Sequence, residues 1–185
     1  MRAVSVIRFV VLGAIGFGIA GAIGSPLITF LPGGVALLLW PLVGGALGGA
    51  SLGLALKDVW RVVNLALLGT LGLFVGAFAG LVLGSFFSYP TVPIAAIVGA
   101  VVGASLGVAF KDWRTIMVLV VAGAVGFSVG TLAAYFILLS VPIVRQLDEV
   151  GNIAITGIIG GASLGAALGY LERGRVAEER RPRVR

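Results

Sequence analysis

Six segments of this chain are long and apolar, and none contains Asp, Glu, Lys or Arg beyond its first four residues. A helix that crosses a bilayer needs about 20 such residues. A fold of this size leaves much of its surface exposed, so a chain this apolar would expose too much apolar surface to be stable in water. The sequence therefore predicts an all-α polytopic membrane protein with six transmembrane helices. The predicted spans are Ser5–Gly24, Gly34–Leu56, Arg61–Gly84, Val92–Phe110, Thr115–Ser140 and Val150–Leu171.

The composition also narrows the chemistry. Hydrophobic residues make up 59% of the 185 and charged residues 11%, against about 45–50% and about 25% in soluble domains. That balance excludes an ordinary soluble enzyme, a disordered chain and a nucleic-acid-binding domain. The chain has neither Cys nor His, which removes thiolate nucleophiles, disulfides, the commonest metal ligand and the commonest general base. We predict no catalytic residue, no metal site and no cofactor.

The charges predict the orientation. Short charged segments at Lys57–Arg61 and Lys111–Arg114 alternate along the chain with Pro-containing breaks that carry little charge. Basic residues stay on the cytoplasmic side of membrane proteins. With the N-terminus inside, 12 of the 13 basic residues fall on that side and only Arg145 falls outside. We therefore expect a multi-pass protein of the cell membrane with both termini cytoplasmic.

Residues 1–171 form one predicted transmembrane domain, and residues 172–185 form a basic cytoplasmic tail. Arg2, the first apolar run and the small residues near Ala20 resemble a secretory signal peptide. We interpret this run as a mature helix instead, because its glycine spacing matches that of later spans. The tail holds six Arg and three Glu. It is expected to be solvated, partly disordered and attractive to anionic lipid headgroups.

A short motif recurs near the end of each even-numbered span, just before charged residues. Repeats of one orientation are related by an axis along the membrane normal, so the simplest packing is a closed, pseudo-threefold arrangement of three hairpins. The hairpins cover about residues 1–57, 58–111 and 112–171. The copies read Gly-Gly-Ala-Ser-Leu-Gly at Gly48–Gly53, Val-Gly-Ala-Ser-Leu-Gly at Val102–Gly107 and Gly-Gly-Ala-Ser-Leu-Gly at Gly160–Gly165.

Glycines four residues apart form stripes along the spans, a glycine-zipper pattern. Small residues on one helix face let a neighbouring backbone approach closely. The stripes predict tight helix packing; the alternative is that they line a solute path or an oligomer contact. The predicted packing residues are Gly45, Gly49, Gly53, Gly72, Gly76, Gly80, Gly99, Gly103, Gly107, Gly126, Gly130, Gly157, Gly161 and Gly165.

The repeated charged segments have a local explanation and a functional one. Lysines at helix C-termini meet exposed carbonyl groups, and aspartates before the next helix are placed as N-caps. The functional alternative is a docking surface for a cytoplasmic partner. Its candidate residues are Lys57, Asp58, Arg61, Lys111, Asp112 and Arg114.

The motif also places Ser51, Ser105 and Ser163 at equivalent positions. These hydroxyls either bond to backbone carbonyls within the packing or form a polar ring around a pore. Intramembrane ionisable groups mark ion-coupled transport, and no span carries Asp, Glu, Lys or Arg beyond its first four residues. We therefore predict a non-enzymatic accessory or scaffold subunit of a larger membrane assembly, and the alternative is a passive channel or facilitator for a small neutral solute.

The expected partners follow from the same features. They are membrane lipids, anionic headgroups at the inner face, and other membrane subunits or a second copy of the chain. The concentration of positive charge beside the membrane accounts for the basic isoelectric point, so no nucleic-acid partner is expected.

The orientation can be tested by labelling engineered cysteines in intact cells. Ser88→Cys is expected to react with an impermeant thiol reagent added outside, because position 88 lies in an outer break. Asp112→Cys is expected to react only after the membrane is permeabilised. The reverse result would invert the topology.

Overall fold

The computed structural model describes residues 6–31, 33–88, 91–140 and 148–179. All regular elements within these residues are α-helices. Six of them are long and apolar enough to span a membrane, as a multi-pass membrane protein requires. They are α1 (Val6–Phe30), α2 (Gly33–Leu56), α3 (Val59–Gly84), α4 (Thr91–Val108), α5 (Trp113–Ser140) and α6 (Asp148–Glu179).

Two helices extend further than the sequence predicts. The break expected at Ser25 and Pro26 does not form, and α1 continues to Phe30. A proline removes one backbone donor, and transmembrane helices tolerate that loss; α2 likewise contains Pro41. At the other terminus, α6 continues eight residues beyond Leu171 to Glu179. The first part of the predicted tail is therefore helical, and residues 180–185 lie outside the described residues.

The helices form a closed ring. Each packs against its sequence neighbours, and α6 returns to α1 through the most extensive interface of the set. Adjacent helices run antiparallel, as contacts such as Gly16 with Ser51 and Gly24 with Trp40 require. The beginnings of α1, α3 and α5 and the ends of α2, α4 and α6 therefore share one end of the ring. We call it the charged end because it carries the Lys57 and Lys111 segments.

Glycine positions bring the helix backbones into direct contact. At three interfaces two glycines face each other, so the backbone of one helix occupies the place where the other would carry a Cβ atom. Any larger residue would push the two helices apart. Such contacts replace the hydrophobic driving force that lipid does not supply between helices. The facing pairs are Gly13 with Gly161, Gly45 with Gly69 and Gly99 with Gly123.

The interface that closes the ring has a different register. In the second sequence copy, Gly103 lies against the carbonyl oxygen of Leu119 on α5. The matching glycine of the third copy is Gly161. Phe9 on α1 is the counterpart of Leu119, because each lies one turn before the first glycine of its helix. The carbonyl of Phe9, however, contacts Gly165 and not Gly161. The α6–α1 contact is therefore shifted by one turn relative to the α4–α5 contact.

Leucines fill the middle of the ring on the side of the charged end. Three of them directly follow the repeated serines, and all have exposures of 2% or less. The outer faces are the reverse: Leu67, Phe78 and Phe136 are 65%, 69% and 76% exposed, as helices surrounded by lipid would be. The buried leucines are Leu52, Leu65, Leu106, Leu119, Leu164 and Leu168.

Alanine substitutions at three glycines should rank by the space available for a methyl group. A Cβ at Gly161 would meet the carbonyl oxygen of Gly13, and one at Gly76 would lie 3.2 Å from Val98 Cα. Overpacking costs about 1–3 kcal/mol. In thermal unfolding in detergent, Gly161→Ala should lose the most stability and Gly76→Ala less.

The matched control is Gly174→Ala on the same helix as Gly161, where nothing lies within 4 Å of the added atom. This variant should be neutral or slightly more stable, because alanine favours a helix by up to about 1 kcal/mol. Equal losses for Gly161→Ala and Gly174→Ala would contradict the assignment of Gly161 to a packed interface.

Candidate functional site

Two tight turns build the charged end. Lys57 and Lys111 have φ angles of 59° and 52°, the left-handed conformation that commonly ends a helix. Their backbone N–H groups donate to the carbonyls of Leu54 and Val108. Lys57 directly follows the last residue of α2, and Lys111 ends the turn that follows Val108, the last residue of α4. The turn is short enough that the next helix begins within two residues.

The aspartates that follow are the predicted N-caps. Asp58 Oδ1 accepts a hydrogen bond of 3.0 Å from the backbone N–H of Trp60. Asp112 accepts from the backbone N–H groups of Arg114 and Thr115, both at 3.2 Å. It also accepts a 2.6 Å bond from the Thr115 hydroxyl. These bonds satisfy donors that a helix N-terminus leaves open.

An ionic network joins the end of α6 to these caps. Arg175 lies 3.6 Å from an oxygen of Asp112 and 3.2 Å from one of Glu172, and it donates a 3.0 Å bond to the Thr115 hydroxyl. Glu172, whose side chain is only 14% exposed, also lies 3.6 Å from Arg61. The network therefore ties the starts of α3 and α5 to α6.

An aromatic ring lies among these charges. The guanidinium carbons of Arg61 and Arg175 are 6.0 and 5.3 Å from the centroid of the Phe110 ring. This is within the range of cation–π attraction. Arg8 acts separately: it donates a 2.7 Å bond to the carbonyl of Leu54 near the end of α2. Arginine side chains at the charged end thus contact an aromatic ring and a backbone carbonyl group.

The electrostatics of Asp112 follow from its partners. The hydrogen bond from the Thr115 hydroxyl is the largest influence and lowers the pKa of the Asp112 carboxyl. The backbone N–H groups of Arg114 and Thr115 and the positive charge of Arg175 lower it further, while partial burial acts in the opposite direction. The carboxylate is therefore the favoured form at neutral pH, which is the form that the network uses.

The six candidate docking residues all belong to this end, but they are not equally free. Lys57, Lys111 and Arg114 are exposed. Asp58, Arg61 and Asp112 are engaged with residues of the chain itself. Sequence reasoning missed Glu172 and Arg175 as partners because it assigned both to a solvated tail. Their spacing of three residues, typical of a helical ion pair, was the available signal.

The three repeated serines bond to carbonyl groups. Ser51 donates to the carbonyl of Gly48 at 2.7 Å and Ser105 to that of Val101 at 2.9 Å. Ser163 donates across the α5–α6 interface to the carbonyl of Ala122 at 2.8 Å. Each lies beside a glycine of the preceding odd-numbered helix: the glycines are Gly16, Gly72 and Gly126.

A cavity of about 230 Å³ occupies the opposite end of the ring and is partly open to the surface. Sixteen residues from all six helices line it, and none is ionisable. Its floor includes the rings of Phe17 and Phe127, which meet edge to face at 5.9 Å between centroids. Beyond them lie the buried leucines. Within the described segments, no group of three or more acidic side chains is placed to hold a metal ion.

The cavity exists because the inward positions change in size along the helices. Leu52 on α2 and Leu106 on α4 fill the half of the ring near the charged end. Further along, Ala20, Gly44 and Ala95 occupy inward positions and leave the space open. Sequence reasoning missed this site because glycine and alanine at packing positions look the same as glycine and alanine beside a void.

Comparison of the chain with protein-family models, with curated proteins and with solved structures finds no match.

The role of Asp112 can be tested through pH. Asp112→Asn should lower the thermal stability of the protein in detergent at pH 7, because it removes the charge that Arg175 and the α5 N-terminus bind. A lowered carboxyl pKa contributes stability that is present above the ordinary value of about 3.9 and lost as pH falls through the folded-state pKa. The difference between wild type and variant should therefore shrink below about pH 4.

Glu178→Gln is the control, since Glu178 is an exposed acid on α6 that makes no ion pair within the described residues. It should unfold like the wild type at pH 7. A pH-independent difference between the wild type and Asp112→Asn would contradict the electrostatic role of Asp112.

Proposed function

We propose that this protein is a non-enzymatic accessory or scaffold subunit that packs within a larger membrane assembly. The observation that carries the proposal is the contrast between its interior and its perimeter. The interior is closed by direct backbone contacts and by leucines with exposures of 2% or less. The perimeter presents large apolar side chains, most of them on α1, α2, α3 and α5. A rigid body with such an outer surface is suited to packing against other membrane helices.

The orientation and the repeat belong to this proposal. Both termini face the cytoplasm, because 12 of 13 basic residues then lie inside. The three hairpins derive from one glycine-zipper unit arranged about a pseudo-threefold axis. The three equivalent contacts of a repeated serine with a glycine support this arrangement. The partners are membrane subunits or a second copy, with anionic headgroups at the charged end.

The packed core favours a scaffold over a channel. A solute that entered the cavity would meet Phe17 and Phe127 and then the leucine layer. The repeated serine hydroxyls are bonded to carbonyls. The passive facilitator remains the second candidate because the cavity does enter the ring from one end. Water and polar solutes would need the leucine layer to separate.

Site-specific photo-crosslinking can identify a neighbouring subunit. A benzophenone amino acid would replace one outward residue at a time, such as Ile19, Leu67 or Phe136, which are 48%, 65% and 76% exposed. We expect a discrete protein adduct, identified by mass spectrometry, at outward positions on one or two adjacent helices. Leu164, which is fully buried, is the control position and should give no adduct to another chain.

Reconstitution into liposomes tests the second candidate function, a passive facilitator. Proteoliposomes of the purified chain should pass small neutral solutes such as glycerol no faster than protein-free liposomes. The triple variant Ser51→Val, Ser105→Val and Ser163→Val should behave identically. Saturable glycerol flux through the wild type, together with lipid adducts alone at every outward position, would reject the scaffold and favour the facilitator.

A further inference from the structure

The cavity opposite the charged end has the properties of a ligand site. Ligand pockets are concave and mostly apolar, with a few convergent polar groups. Here the walls are Phe, Leu, Ile, Val, Ala and Gly residues with one tryptophan, Trp40, and four further polar side chains. All six helices contribute, so the site exists only in the closed ring. Its presence does not depend on whether the protein has a protein partner.

The lining restricts the charge of the ligand. None of the sixteen lining residues is Asp, Glu, Lys or Arg. A charged molecule would lose its hydration there and find no opposite charge to compensate, which is costly in an apolar site. The part of a ligand that lies inside the cavity is therefore expected to be uncharged.

Three of the polar side chains, on α5 and α6, lie on one wall and form a loose chain. Thr131 Oγ1 on α5 donates to the carbonyl of Phe127 at 3.0 Å and lies 3.4 Å from Thr156 Oγ1 on α6. Thr156 in turn lies 3.4 Å from Asn152 Oδ1. Hydroxyl bonds are usually about 2.7–2.8 Å long, so the last two are weak. A ligand oxygen inserted here would replace weak bonds with stronger ones.

The volume of the cavity limits the size of the ligand. A dry, apolar cavity of about 150 Å³ in another protein accommodates benzene, a ring of six carbon atoms. In proportion, about 230 Å³ accommodates about nine non-hydrogen atoms.

We propose that this cavity binds a small uncharged amphiphile: an apolar chain or ring of about nine non-hydrogen atoms that carries one hydroxyl or carbonyl oxygen. The apolar part fills the space between Phe17, Leu73 and Ala95. The oxygen bonds at the wall formed by Thr131, Thr156 and Asn152. An unbranched alcohol of eight carbons matches both requirements.

The test uses a photoactivatable diazirine analogue of octanol as the probe, added to the full chain in liposomes. Peptides that carry cavity residues are quantified by mass spectrometry after illumination. Labelling of the α4 and α6 peptides should saturate, and octan-1-ol should compete with it. Octanoate at neutral pH should not compete at the same membrane concentration. Labelling that rises linearly with probe and resists competition would overturn the proposal.

Ala95→Phe fills the cavity, because Ala95 lines it and is only 9% exposed. This variant should lose at least tenfold in saturable labelling. The control is Ala96→Phe, at the next position on the same helix, which is half-buried and does not line the cavity. It should label like the wild type. Unchanged labelling in Ala95→Phe would place the probe in the lipid and overturn the proposal.

Milder variants cover the case in which Ala95→Phe does not fold. Thr131→Val and Thr156→Val keep the shape of the side chain and remove a hydroxyl. Each should weaken competition by octan-1-ol about threefold, the effect of an average hydrogen bond between membrane helices. Competition by octane, which has no oxygen, should stay the same. Equal effects on both competitors, or none on octan-1-ol, would contradict the assigned polar wall.

Discussion

Direct contact between helix backbones is the interaction on which this structure depends. Lipid supplies no hydrophobic force between apolar helices, so their association relies on close van der Waals packing. At pairs such as Gly13 with Gly161, even one methyl group on either residue would clash with the opposite carbonyl. The glycines therefore determine the distance between helices. The closed ring, the buried leucines and the cavity all follow from that spacing and from the side chains that remain inside it.

The two ends of the ring use opposite chemistry. At the charged end, short turns, aspartate caps and the Arg175 network join α3, α5 and α6. Water and headgroups are close enough there to make charge tolerable. At the other end the helices enclose apolar space with neutral hydrogen-bonding groups on one wall. One end resists separation through ion pairs, while the other retains room for a molecule.

The sequence predicted the features that the membrane imposes. The number of spans, the helical class and the caps at Asp58 and Asp112 could be predicted, since each depends only on residues that are close together in the sequence. The continuation of α1 through Pro26 could not be predicted in this way, because neighbouring helices decide whether a proline ends a helix. The cavity was out of reach for a related reason. Ala95 and Gly44 line the cavity only because of how their helices are rotated about their axes. With another rotation the same residues would have contacted a neighbouring helix. The Arg175 network required knowing that α6 continues beyond the predicted span.

The closing interface has a consequence for the order of folding. Five of the six interfaces join helices adjacent in the sequence, but α1 meets α6 across the whole length of the chain. A chain made from its N-terminus exposes the Gly13 face of α1 until the last helix enters the bilayer. During synthesis, lipid or an insertion factor must cover that face. The same geometry makes the ring a good subject for circular permutation. A chain opened at Lys57, with its old termini joined, would make α6 and α1 adjacent in sequence, and the contact left to form last would be the one between α2 and α3.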